Sequence, residues 1–241
     1  MSETKKVIVD SMTNEEVLEL LNDDLDFLQH KIDDNLKRYK QMVKNSVKKE
    51  RVYYKPLNYK SAKGFHYMIQ FFKRANDDPE KDKLGMLYYA WFIKNRGTYA
   101  VFLSRLSLYG YARWRYTIYT PHFFDRYRER FLKDMSISKA DVIYRFIRGN
   151  LKMSSVGHPS EKYPNCVWMA CSDGLILCNH LNSYNQEAKT FITYEMAGID
   201  QKDFAFTAHK LMLERGIELK LPDEDFEEYN MEDRNCLLKK Y

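Results

Sequence analysis

Residues 120–131 read TPHFFDRYRERF, and this stretch divides a strand-rich half of the chain from a helix-led one. Thr120 before Pro121 is a helix-start signature. The threonine hydroxyl can cap a first-turn N–H, and proline at N1 loses nothing by lacking its own. His122 then stands at N2, beside unsatisfied amides and the positive end of the helix dipole. Such a position suits anions and disfavours the imidazolium. At about 100° per residue, His122, Arg126 and Arg130 fall on one face, joined by Glu129 and Lys133. Phe123, Phe124, Tyr127 and Phe131 fall on the other. The aromatic side is expected to pack on a sheet, leaving the His/Arg/Arg stripe to solvent or to a cleft. Arginine forks match phosphate oxygens, and a neutral imidazole beside a phosphodiester is what general-base chemistry requires.

Upstream, the spacing predicts strands over Phe65–Phe72, Leu84–Lys94, Tyr99–Ser104 and Ala112–Thr120, with a hairpin turn at Asn95-Arg96-Gly97. In the fourth strand Ala112, Trp114, Tyr116 and Ile118 alternate with Arg113, Arg115 and Thr117, which gives one apolar and one basic face. Downstream, Ser138 begins a second helix with Val142, Ile143, Phe146 and Ile147 as its stripe, ended by Gly149-Asn150. A loop at Ser154–Pro164 precedes short strands at Cys166–Cys171, Leu175–Leu181 and Ala188–Tyr194, the first two joined through Ser172-Asp173-Gly174. Asp200–Arg215 reads as a last helix.

Residues 13–47 read as one long helix, with Val17, Leu20, Leu21, Leu25, Leu28, Ile32 and Leu36 at helical spacing. It either packs on the domain or pairs with a partner, a second copy included. The fold class expected is therefore α+β: a long N-terminal helix, a β-rich half, two helices, a small antiparallel sheet and a C-terminal helix. The segments expected are 1–50 (helix), 51–116 (β-rich), 117–220 (α+β) and 221–241 (acidic tail).

Charge sets the classes of partner. With 39 basic and 34 acidic residues the net charge is only +5, which permits nucleic-acid binding without requiring it. The basic residues cluster at 37–51 and again at 105–152, and the acidic ones crowd after Pro222. No apolar run reaches about 18 residues, so no membrane partner is expected. Cysteines at 166, 171, 178 and 236 lack disulfide-framework spacing, which points to a reducing cytoplasm. The gaps among Cys166, Cys171, Cys178 and His180 fit a zinc site poorly, and buried thiols are the expectation. No metal and no cofactor are expected. The absence of P-loop, G-x-G-x-x-G and G-x-S-x-G motifs argues against nucleotide hydrolases, dinucleotide oxidoreductases and α/β-hydrolases.

A His/Arg helix, a second helix and then a strand meander is a recognisable plan. On these residues the segment 117–194 resembles the Barnase–EndoU–colicin–RelE superfamily of metal-independent ribonucleases, most of all its phage, mobile-element and small-toxin members. The resemblance implies catalytic roles for His122, Arg126, Arg130 and Thr190. His122 would act as base or acid while the ribose 2′-oxygen attacks phosphorus and the 5′-oxygen leaves. Arg126 and Arg130 would stabilise the phosphorane, and Thr190 would donate to a phosphate oxygen. Arg113, Arg115, Arg128 and Lys133 are the expected nucleic-acid contacts, with His158 and His180 as additional candidates. The implied location is the cytoplasm, or the host cytoplasm or virion for a phage-encoded chain. The loop before Cys166 is longer than in compact toxins, and the N-terminal half has no counterpart in them. The competing expectations are a nucleic-acid-binding protein without chemistry, and a structural or interaction protein of a phage or mobile element.

Overall fold

The computed structural model describes residues 7–76, 82–108, 111–150, 154–156, 165–182 and 185–214. Two helices, α1 (Asn14–Asn22) and α2 (Leu25–Lys44), precede β1 (Val52–Tyr53), β2 (Leu57–Lys60), β3 (His66–Lys73), β4 (Leu84–Lys94), β5 (Gly97–Leu108) and β6 (Tyr111–Tyr119). Then come α3 (Pro121–Tyr127), which runs on into a π-helical turn at Arg128–Leu132, and α4 (Lys139–Gly149). Strands β7 (Ser154–Val156), β8 (Cys166–Cys171), β9 (Gly174–His180) and β10 (Gln186–Ile192) lead to α5 (Ile199–Glu214). The class is α+β. No helix among the described residues is long and apolar enough to cross a membrane.

The strands form one sheet in the order β1-β3-β4-β5-β6-β10-β9-β8-β7, with β2 also on β3. The C-terminal strands are thus not a separate small sheet. Strand β10 lies parallel to β6, from Gln186 opposite Thr117 to Ala188 opposite Tyr119. The expected segment boundary at 116/117 falls inside β6. Parallel neighbours need a long crossover, and α3 and α4 lie within it.

The expected long N-terminal helix is two helices. Thr13 caps α1 in a reciprocal box: its side chain accepts from Glu16 N–H at 3.2 Å, and Glu16 accepts from Thr13 N–H at 2.6 Å. The rod breaks at Asp23-Asp24, where Asp24 is 6% exposed and accepts from the Tyr67 hydroxyl at 2.8 Å. Helical spacing itself sets Asp24 on the inner face, seven residues after Val17 and four before Leu28. Burial, then Asp24, holds the Tyr67 hydroxyl well above its ordinary pKa. The apolar stripe nevertheless stays in phase across the break. Val17, Leu20, Leu21, Leu28 and Ile32 are buried against Tyr67, Ile69, Phe71, Ala90 and Phe92, and Leu25 and Leu36 are partly so.

On the opposite sheet face α3 and α4 cover both halves of the sheet at once. Phe123, Phe124, Tyr127, Val142, Ile143, Phe146 and Ile147 pack on Met68, Leu87, Tyr89 and Tyr119, and equally on Val167, Ile176, Cys178 and Phe191. Helix α5 covers the other face of β8–β10, with Phe204, Ala205 and Ala208 against Ala170 and Leu175. Turn chemistry agrees with position. Asn95 and Arg96 have φ of 50° and 60°, the primed geometry a two-residue hairpin needs. At Gly174 any Cβ would drive into the Ile192 carbonyl oxygen.

Candidate functional site

The capping chemistry of α3 is as the residues require. Thr120 Oγ1 accepts from Phe123 N–H at 3.2 Å and donates to the Ala188 carbonyl at 3.1 Å. The cap residue thereby ties the helix start to β10. Pro121 occupies the first turn, and His122 stands exposed beside it.

The stripe below His122 diverges. Arg126 pairs with Glu129 at 2.6 Å, both substantially exposed, an arrangement of small energetic weight. From Arg128 onward the π-helical turn bonds i to i+5 and changes the angular phase of the side chains. Arg130, seven residues after Phe123 and three after Tyr127, reaches the sheet, where Nη1 donates to the Phe191 carbonyl at 2.5 Å. Arg128 donates to the carbonyls of Ile137 at 3.2 Å and Met135 at 3.4 Å and meets Asp125 at 3.4 Å, securing the loop before α4. Lys133 ends the turn in left-handed conformation with φ 51° and is exposed.

Thr190 lies elsewhere. The β10 register shifts between Ala188 and Thr190. Past that bulge Thr190 pairs with Leu177, which pairs with Trp168, and Trp168 packs edge-on against Phe204 of α5 at 5.5 Å. Ala188 and Phe191 belong instead to the face under α3 and α4. The sheet therefore separates the Thr190 side chain from His122, Arg126 and Arg130.

The remaining expected contacts are dispersed. Arg115 donates to Gln186 at 3.0 Å, and Gln186 donates to Thr117 at 3.1 Å. These bonds join the non-apolar face of β6 to β10. The Arg113 side chain and all of His158 lie outside the described residues. His180 is exposed at the end of β9, its N–H donating to the Asn165 carbonyl at 2.9 Å. Cys171 and Cys178 are free, fully buried thiols, and burial pushes Cys171 up to about 12. No group of three or more His, Cys, Asp or Glu side chains among the described residues is placed to hold a metal ion.

Two side-chain groups escaped the sequence reading. In the first, Asp173 accepts from Tyr127 Oη at 2.6 Å and from Asn150 Nδ2 at 2.7 Å, and its own N–H donates to Asn150 Oδ1 at 3.1 Å. A turn residue thus locks α3 to the end of α4. The second lies at the β1 margin. Tyr53 and Phe72 pack with ring centroids 5.3 Å apart. The Arg51 and Arg74 guanidiniums each stand 5.5 Å from the Phe72 ring, and that of Arg148 stands 4.4 Å from Tyr53.

Next to that group, between α4 and strands β2–β4, opens a cleft of about 490 Å³ lined by Asn58, Met68, Tyr89, Trp91, Asp141 and Tyr144. His66 stacks on Trp91 with centroids 3.9 Å apart and planes 14° from parallel. Burial, and secondarily Lys60, lowers the His66 pKa. The one available sequence signal was on α4. Asp141, Tyr144 and Arg148 recur at i, i+3 and i+7 beside the apolar stripe. Comparison of the chain with family models, curated proteins and solved structures finds no match.

Proposed function

We propose that the protein binds single-stranded nucleic acid, and that its contact centre is the arginine–aromatic group at the β1 margin rather than the α3 stripe. The observation that carries this reading is the convergence of Arg51, just before β1, Arg74, just after β3, and Arg148 of α4 on the single ring pair Tyr53–Phe72. Guanidiniums held over aromatic faces keep their planar forks oriented. Phe72 is buried and Tyr53 half-buried over it, so Tyr53 is the ring left to a base; aromatic rings combined with arginines are a general means of holding unpaired strands. The basic run from Lys37 to Lys49 leads directly into Arg51 and adds to the positive field on that side.

The test is titration of labelled single-stranded RNA and DNA over a range of salt. Log affinity should fall linearly with log salt, and Arg148→Ala and Arg51→Ala should each reduce the slope by about 0.7. Absence of binding at low salt, or slopes unmoved by both substitutions, would remove the reading.

A further inference from the structure

Resting on that reading, we infer that the cleft beside α4 receives one unpaired base of the bound strand and selects guanine. Its volume, about 490 Å³, lies within the range of small-molecule sites. Three of its walls are aromatic: Tyr89, Trp91 and Tyr144. One face of the indole is already covered by His66, which makes the pair a rigid wall.

Tyr144 is fixed as well. Its hydroxyl lies 3.2 Å from Gln70 Nε2 and 3.3 Å from Arg148 Nη1, and Gln70 is held in turn by the Tyr54 carbonyl at 2.8 Å. Rings fixed before binding lose little freedom when a base enters.

The polar groups choose the base. Asp141 is an acceptor with capacity beyond the Ser138 hydroxyl it already accepts from at 2.6 Å. Among the bases, guanine alone carries two adjacent N–H donors on its Watson–Crick edge, which a carboxylate takes in bidentate fashion. Asn58, exposed on β2, supplies a donor for the neighbouring carbonyl of that base.

The phosphates have cations beside the cleft. Asp141 and Arg148 are seven residues apart on α4, about 10 Å along its axis, a separation comparable to that between a base and a neighbouring phosphate. Lys60 lies opposite His66 on β2, beside the His66–Trp91 wall.

The experiment uses the full chain and fluorescence anisotropy. The probes are a short uridine strand and the same strand with one central guanine, adenine or cytosine, in RNA and in DNA form. The guanine strand should bind about tenfold tighter than uridine in both sugars. Asp141→Asn should erase that preference, so that the variant binds the guanine and uridine strands alike. Asn58→Ala, at an exposed strand position, should reduce the preference without disturbing the fold. Arg148→Ala should weaken all four strands alike. Equal binding of all four strands overturns the base pocket but leaves strand binding intact, as does a guanine preference that survives Asp141→Asn. Competition by free guanosine monophosphate as strong as by the strand overturns the assignment of a strand as the occupant. Failure of every strand to bind at low salt defeats the proposed function and this inference together.

Discussion

Arg130 donates from Nη1 to the main-chain carbonyl of Phe191 at 2.5 Å. Strand β10 has β6 beside it only from Gln186 to Ala188, so β6 supplies no donor for carbonyls farther on. A buried or half-buried carbonyl needs one. Arg130 supplies it, and the arginine is therefore a structural donor. Arg130→Ala should cost about 1–3 kcal/mol, read as a lower urea midpoint at constant slope. Strand affinity should not change. A loss of affinity at unaltered stability would instead make Arg130 a ligand contact.

Tyr127, Asp173 and Asn150 form the second structural unit. The carboxylate accepts from both partners within 2.7 Å, and Asn150, fully buried, also donates to the Phe146 carbonyl at 2.9 Å. Burial, then the bond to Asp173, raises the Tyr127 hydroxyl pKa. Tyr127→Phe removes one charge-assisted bond and should cost about 1.5–3 kcal/mol. Asn150→Ala should cost more, because it also leaves the Asp173 N–H without its acceptor. A double-mutant cycle by denaturant unfolding should show the two changes to be non-additive by at least about 0.5 kcal/mol. Additive losses would mean that the three groups do not act as one network.

What the sequence disclosed was local. The Thr120-Pro121 start, the α4 stripe from Val142 to Ile147 and the Asn95-Arg96 hairpin each follow from neighbours in the chain. Arg130 stands at the edge of the aromatic face, and what it serves there is decided by the Phe191 carbonyl, far along the chain. The Lys189 bulge, which no residue pattern announces, moves Thr190 to the α5 face. The break at Asp24 was hidden because the apolar phase continues through it. The meeting of Arg51, Arg74 and Arg148 joins residues about a hundred positions apart, and only the shared sheet brings them together.

The His66–Trp91 stack should give a measurable pH dependence. Burial, and after it Lys60, lowers the His66 pKa below its ordinary 6.5. The unfolded chain then takes up a proton near 6.5 while the native state resists it. The associated stability is fully present above 6.5 and is lost as the pH falls from 6.5 through the folded-state pKa. The melting temperature should decline in that window, and His66→Phe, which keeps a ring over Trp91, should flatten the decline. Lys60→Gln should move the His66 titration, followed by NMR, back toward its ordinary value. A His66 that titrates at or above 6.5 in the wild type would contradict this.

His122 is the residue on which cleavage and binding part company. A metal-independent cleavage of the kind the α3 resemblance implies needs the histidine, an arginine and the Thr190 hydroxyl around one phosphate. Here Arg130 is held by the Phe191 carbonyl and Thr190 lies across the sheet, so the histidine, an arginine and the threonine do not meet around one phosphate. General acid–base catalysis contributes typically about 10²–10⁴-fold, so a working site should lose most of its rate on His122→Ala. The expected outcome is that RNA incubated with the protein in EDTA stays intact, equally for wild type and His122→Ala, while both retain the same strand affinity. Cleavage by wild type that disappears in His122→Ala, and in Thr190→Ala, would require the two faces to be brought together by a rearrangement of β10 and would restore the catalytic reading of the α3 stripe.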